Sequence, residues 1–167
     1  SSEKCISARI NTLKTAKDEL LELLESKNLN FEVMPFWDEA LVFDDISRVD
    51  FGDLELVKKG YLYRQGLSSM IPALVLDLKE NVRVLDMCAA PGSKSTQISQ
   101  IMNNSGEIIC IENIKKRYYK LRSVCNDMGA NNISIKLMDA RRYRDNHLFD
   151  CILVDAPCSS EGRFKTY

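Results

Sequence analysis

Apolar and polar positions along this chain fall into two regimes. From residue 82 onward, short aliphatic runs alternate with longer stretches of helical periodicity, the rhythm of successive β–α units in a parallel sheet. Val82, Val84 and Leu85 read as a buried strand, and Ser93 to Ile101 as the helix that follows it. Glu107-Ile-Ile-Cys-Ile-Glu112 is a second strand, and Lys115 to Met128 a helix stopped by Gly129. Ile133 to Asp139 and Asp150 to Asp155 are the third and fourth strands.

Upstream the pattern is less regular. Ala8 to Thr12 reads as a short strand, followed by an amphipathic helix with Leu20, Leu21, Leu23 and Leu24 on one face. Thr15 with Asp18 is a loose capping box, and Asn28 suits the stop. Phe31 to Phe43, with Pro35 and Trp37, suggests extended segments around a turn. The acidic stretch Asp44 to Gly60 reads as a linker, and Ile71 to Leu78 as a helix beside the first strand of the second regime. These features predict a small α+β module plus linker over residues 1–60 and an α/β unit over residues 61–167.

The two regimes meet in the segment from Val82 to Gln97. Asp86 ends the strand, and Ala89, Ala90, Pro91 and Gly92 form a small-residue turn into the helix. Small residues there let backbone N–H groups and a helix N-terminus approach a ligand. The phosphate-loop pattern GxxxxGK[ST] and the dinucleotide pattern GxGxxG are both missing, and an ordinary strand-to-helix turn fits the spacing equally well. Four successive strands end in Asp86, Glu112, Asp139 and Asp155. In an open parallel sheet the carboxyl ends of the strands line the ligand crevice. A carboxylate in the position of Glu112 can accept both ribose hydroxyls of a nucleoside; alone, it would read as a solvated strand end.

Composition narrows the classes. At 167 residues, 45% hydrophobic and 28% charged, the chain has a globular make-up with a formal net charge of −1, so it shows no global basic signature. Any RNA contact would have to come from local patches. Six cysteines with no CxxC pair and a single histidine argue against a metal site and for thiols in a reducing compartment. Neither a membrane-length apolar run nor a signal-peptide pattern is present in the sequence.

The wording of two segments says more than their spacing. Leu85-Asp-Met-Cys-Ala-Ala-Pro-Gly-Ser-Lys-Ser-Thr-Gln97, together with Asp155-Ala-Pro-Cys158, resembles the Nop/Sun family of RNA cytosine-5 methyltransferases. Met87, Ser93 and the upstream pair Arg64-Gln65 lean toward its tRNA-modifying branch, with rRNA as the alternative substrate. The resemblance implies a Rossmann-like, S-adenosylmethionine-dependent sheet. Cys88, Ala89, Ala90, Pro91, Gly92, Ser93 and Lys94 would surround the methionine part of the cofactor. Glu112 would hold the ribose, Asp139 the adenine amino group, and Asp155 would lie between cofactor and target base. Arg9 to Lys14 resembles an RNA-contacting N-terminal subdomain; an edge strand with solvated charges fits the same residues.

Methylation at the 5-carbon of cytosine requires a thiolate to add at ring carbon 6. The family resembles a two-cysteine design, in which the cysteine at Cys158 assists product release and the nucleophile belongs to a later motif. Departures from the family pattern are Gly66 in place of an acid after Gln65, Glu112 in place of aspartate, and Ser159-Ser160 in place of Ser-Gly. Two other readings compete: a non-catalytic cofactor- or RNA-binding module, and a Rossmann-type oxidoreductase, disfavoured by the missing glycine pattern. The fourth strand is apolar on both faces, with Ile152 and Val154 on one and Cys151 and Leu153 on the other. That is the signature of a strand in the middle of a parallel sheet. It predicts that the sheet is incomplete here and that a C-terminal remainder, in the same polypeptide or as a separate chain, adds strands and the nucleophile. On that expectation, residues 1–167 alone are poorly soluble and catalytically silent. The location expected is intracellular: the nucleus in a eukaryote, otherwise the cytoplasm.

Overall fold

The computed structural model of the chain describes residues 5–156. Two four-stranded sheets organise it. The first is antiparallel, in the order β2-β3-β1-β4, from β1 (Ile6–Ile10), β2 (Phe31–Val33), β3 (Ala40–Phe43) and β4 (Leu62–Arg64). Because β4 pairs with β1, this sheet takes in residues beyond 60. Helix α1 (Lys17–Ser26) packs Leu20 and Leu24 onto it, with Ile6, Ala8, Ile10, Leu41, Phe43 and Leu62.

Several local expectations change. The N-cap of α1 is Ala16, with no side-chain cap, so Thr15 and Asp18 do not form the capping box. The stretch expected to be a linker holds two short helices, α2 (Arg48–Asp53) and α3 (Glu55–Lys58). Ser47 caps α2 by accepting the Asp50 N–H at 3.1 Å, and Phe51 and Leu56 enter the module's core. One apolar anchor on each short helix thus outweighs the acidic surroundings. Helix α4 (Leu67–Leu74) follows its N-cap Gly66 and starts earlier than the helix expected over residues 71–78.

The second sheet is parallel, in the order β7-β6-β5-β8, from β5 (Arg83–Asp86), β6 (Glu107–Glu112), β7 (Ile133–Leu137) and β8 (Cys151–Leu153). Helices α5 (Ser93–Ile101) and α6 (Lys115–Met128) cover one face, where Val84, Ile108 and Cys110 meet Ile98, Met102, Leu121 and Cys125. On the other face Leu85, Ile109 and Ile111 pack against Met138, Tyr143 and Phe149. Strands β7 and β8 are the two edges of this sheet among the described residues. Leu153 is buried, whereas Ile152 is 54% exposed and Val154 60%.

Arg9 lies on β1, a central strand, and is fully buried, so it is neither an edge-strand residue nor a solvated charge. Asn11 is buried as well, and Lys14 stays exposed while its amine reaches backbone carbonyls. Asn11 Nδ2 donates to the carbonyls of Gly60 at 2.8 Å and Met128 at 2.9 Å. Lys14 Nζ donates to those of Lys59 at 2.6 Å and Asp127 at 2.9 Å. Both residues therefore tie the carbonyl-rich ends of α3 and α6 together, where a cation suits the negative end of the helix dipole.

Candidate active site

The site grows from β5. Asp86, its last residue, is 1% exposed and accepts the Ser95 hydroxyl at 2.6 Å and the Cys88 N–H at 3.2 Å. It joins the turn to α5, and burial raises its pKa. The turn continues through buried Ala89 and Ala90 and a cis Ala90–Pro91 bond to Gly92, at φ 109°. A Cβ on Gly92 would come within 2.9 Å of Leu121 Cδ1 and 3.2 Å of Val124 Cγ1. Glycine thus serves the close approach of α5 and α6.

Glu112 ends β6 and is 4% exposed. One of its oxygens accepts the Ile114 N–H at 2.8 Å; the other lies 3.5 Å from Arg117 Nε. Arg117 Nη2 in turn donates to the Ala90 carbonyl at 2.7 Å. A single guanidinium therefore links the acidic end of β6 to the turn after β5. Arg117 escaped the sequence reading, although a signal exists: a cation in the first turn of a helix opposes the dipole and so needs another partner.

Asp139 lies two residues past the end of β7, where it caps a 3₁₀ turn at Ala140–Arg142. It accepts the Arg141 N–H at 3.0 Å, and its two oxygens meet Arg141 Nε and Nη2 at 3.0 and 2.5 Å. That pairing holds its carboxyl down at about 2. Asp155, two residues past β8, is paired by Lys94 Nζ at 2.7 Å, and Lys94 also donates to Ser69 Oγ at 3.0 Å. Cys158 lies outside the described residues.

Parallel register brings these groups to one edge. A crevice of about 220 Å³ runs between Glu112 and Asp139, with Met87, Ile111, Met138 and Ala140 as apolar walls. A smaller one of about 40 Å³ lies between the Ala89–Pro91 turn, Ser93, Lys94 and Asp155. Cys88 borders both, its thiol pushed up by burial and by the nearby Asp86 and Glu112 carboxylates, so it stands as a neutral wall. Apolar walls with a carboxylate on either side fit a nucleoside: a flat base between the walls, hydroxyls and an amino group on the acids. The residues present therefore suit S-adenosylmethionine.

Similarity to known proteins agrees. Residues 73–166 match the model of the family described as 16S rRNA methyltransferase RsmB/F. A tRNA (cytosine(72)-C(5))-methyltransferase of Pyrococcus horikoshii is 44% identical over 111 residues, covering 66% of this chain and 28% of that protein. Ribosomal RNA small subunit methyltransferase F of Shewanella halifaxensis is 34% identical over 173 residues, covering 96% of this chain and 36% of that protein. A crystal structure of a methyltransferase homolog protein from Pyrococcus horikoshii superposes with a TM-score of 0.82 at 29% identity, covering 95% of this chain and 52% of that one. The chain thus spans about a third of the length of the curated relatives it matches. Over the stretch from α4 through the parallel sheet and the cofactor-shaped crevice, this chain belongs to the RsmB/F family of methyltransferases.

Proposed function

We propose that the chain is the S-adenosylmethionine-binding part of an RNA cytosine-5 methyltransferase that acts on tRNA. The observation that carries this reading is the crevice at the carboxyl edge of the parallel sheet. There Glu112 and Asp139 flank apolar walls and the Cys88–Lys94 turn closes one end. When bound, S-adenosylmethionine supplies the methyl group.

In this reading Glu112 receives the ribose hydroxyls, with Arg117 steadying its second oxygen. Asp139 receives the adenine amino group, and the backbone from Cys88 to Lys94 surrounds the methionine part. Lys94 holds Asp155 at the mouth of the smaller crevice, where a target base would enter. A thiolate adds at ring carbon 6 of cytosine, the 5-carbon takes the methyl group, a base removes the 5-proton and the thiolate departs. Cys158, in Asp155-Ala-Pro-Cys158, has the role of assisting that departure. Cys158→Ser in the full-length protein should then let a covalent RNA–protein adduct accumulate on denaturing gels. A variant that forms none and is inactive would make Cys158 the nucleophile.

The Pyrococcus relative's name and the Leu85-Asp-Met-Cys wording support tRNA as the substrate. rRNA is the second reading, favoured by the family description and the Shewanella relative. Bisulfite sequencing of RNA from cells lacking the gene separates them, since an unprotected cytosine appears in tRNA on the first reading and in rRNA on the second. The same reading sets the protein inside the cell, in the nucleus of a eukaryote or otherwise the cytoplasm. It fits the thiols of Cys88, Cys110, Cys125 and Cys151, which form no disulfide.

A further inference from the structure

Arg9 is the largest fully buried side chain, and no carboxylate pairs with it among the described residues. Its Nε donates to Gln65 Oε1 at 2.9 Å, Nη1 to Gln100 Oε1 at 2.5 Å and Nη2 to Thr96 Oγ1 at 2.7 Å. The guanidinium carbon lies 5.0 Å from the centroid of the Tyr63 ring. All three hydrogen-bond acceptors are neutral. Burying a cation among neutral groups is costly, and an apolar side chain of similar volume would serve stability as well or better. Burial also pulls the Arg9 pKa down to about 10.

The partners explain the placement. Thr96 has one hydroxyl proton. With its oxygen accepting from Arg9, that proton goes to the Gly92 carbonyl at 2.7 Å. Two consecutive hydrogen bonds therefore run from β1 of the N-terminal module to the left-handed residue of the turn between β5 and α5. A second branch passes through Gln65, whose amide donates to the Ser69 carbonyl at 3.1 Å. The Ser69 hydroxyl takes Lys94, the partner of Asp155. Gln100 differs: its Nε2 has no hydrogen-bond partner, so the branch through it ends on α5, away from the turn.

We propose that Arg9 is a positioning residue for the cofactor turn, acting through the Thr96 hydroxyl to fix the Gly92 carbonyl and with it the path from Ala89 to Lys94. The proposal rests on the reading of that turn as part of an S-adenosylmethionine site. It makes the N-terminal module a part of the cofactor site's scaffold, although none of its residues lines the crevice.

Thr96→Val and Gln100→Leu form the test. Each leaves one buried Arg9 donor without its acceptor, so both should lower the melting temperature to a similar extent. Only the Thr96 hydroxyl carries the link from Arg9 to the Gly92 carbonyl, which keeps the Thr96 N–H at 2.9 Å in every variant. S-adenosylhomocysteine titrated calorimetrically into the full-length protein should bind Thr96→Val about tenfold more weakly, a size common for indirect coupling. Binding to Gln100→Leu should stay within about twofold of the unmodified protein. Thr96→Ser, which keeps the hydroxyl, should recover the affinity. Equal weakening in Thr96→Val and Gln100→Leu would make the network merely structural and overturn the proposal, as would undiminished binding to Thr96→Val. An unmodified protein that binds no S-adenosylhomocysteine would overturn the cofactor reading itself, and the proposal with it.

Discussion

Each acidic residue at the sheet edge has a different job, set by its immediate partners. Asp86 is spent on Ser95 and the Cys88 amide, and Asp155 on Lys94. Glu112 keeps one oxygen only loosely engaged, 3.5 Å from Arg117. Glu112→Ala should weaken S-adenosylhomocysteine binding by about 1–3 kcal/mol, the cost of leaving hydroxyls without a charged acceptor; calorimetry measures it. Asp139 behaves differently, because the Arg141 guanidinium stabilises its ionised form and holds the carboxyl at about 2. A depressed carboxyl favours the folded state above its unfolded pKa, and the contribution fades as pH falls through the depressed value. Arg141→Ala should therefore raise the Asp139 midpoint toward the ordinary aspartate value of about 3.9. A carbon-detected NMR titration of the Asp139 carboxyl reads the shift; an unmoved midpoint would mean that the pair does not persist in solution.

Local elements explain why part of this was legible and part was not. The bounds of α5, β6 and α6 can be read from the chain, since an aliphatic run, a helical period and the stop at Gly129 all agree. Helices α2 and α3 hide, because a helix of one or two turns offers too short a window for its period to stand out from the surrounding acids. The carboxylates were visible as strand ends, yet their division of labour was not. It depends on Ser95, Arg117, Arg141 and Lys94, which meet them only through tertiary packing. Arg9 is hidden for the same reason, since Thr96 and Gln100 lie on a different element of the other sheet's layer. The packing demand on Gly92 is hidden too, since its missing Cβ makes room for Leu121 and Val124 of α6. Gly92→Ala combines an unfavourable φ with that clash. It should cost about 1–3 kcal/mol in denaturant unfolding, comparable with other strained backbone positions.

At the scale of the molecule, the question is whether two sheets with separate cores behave as one body. Each core is small, and among the described residues no strand of the antiparallel sheet pairs with one of the parallel sheet. Leu13 packs on the second core, and the rest of the connection is polar. Arg9 reaches α5, while Asn11 and Lys14 each bind one carbonyl from the Lys59–Gly60 corner and one from the end of α6. Asn11 is fully buried, so losing its amide would strand the Gly60 and Met128 carbonyls without that donor. Buried polar groups left unpaired cost about 1–3 kcal/mol. The two modules should consequently unfold together in urea. Trp37, the single tryptophan, sits in the turn between β2 and β3 and reports the N-terminal module alone. The loss of S-adenosylhomocysteine binding reports the parallel sheet. In the unmodified chain the two midpoints should coincide once extrapolated to zero ligand. Asn11→Leu should lower the stability of the whole by about 1–3 kcal/mol and pull the midpoints apart, with the parallel sheet lost first because its α6 end is released. Midpoints that differ before any substitution would show that the polar clamp does not couple the modules. Midpoints that stay together in Asn11→Leu would assign the coupling to Arg9 and Lys14 instead.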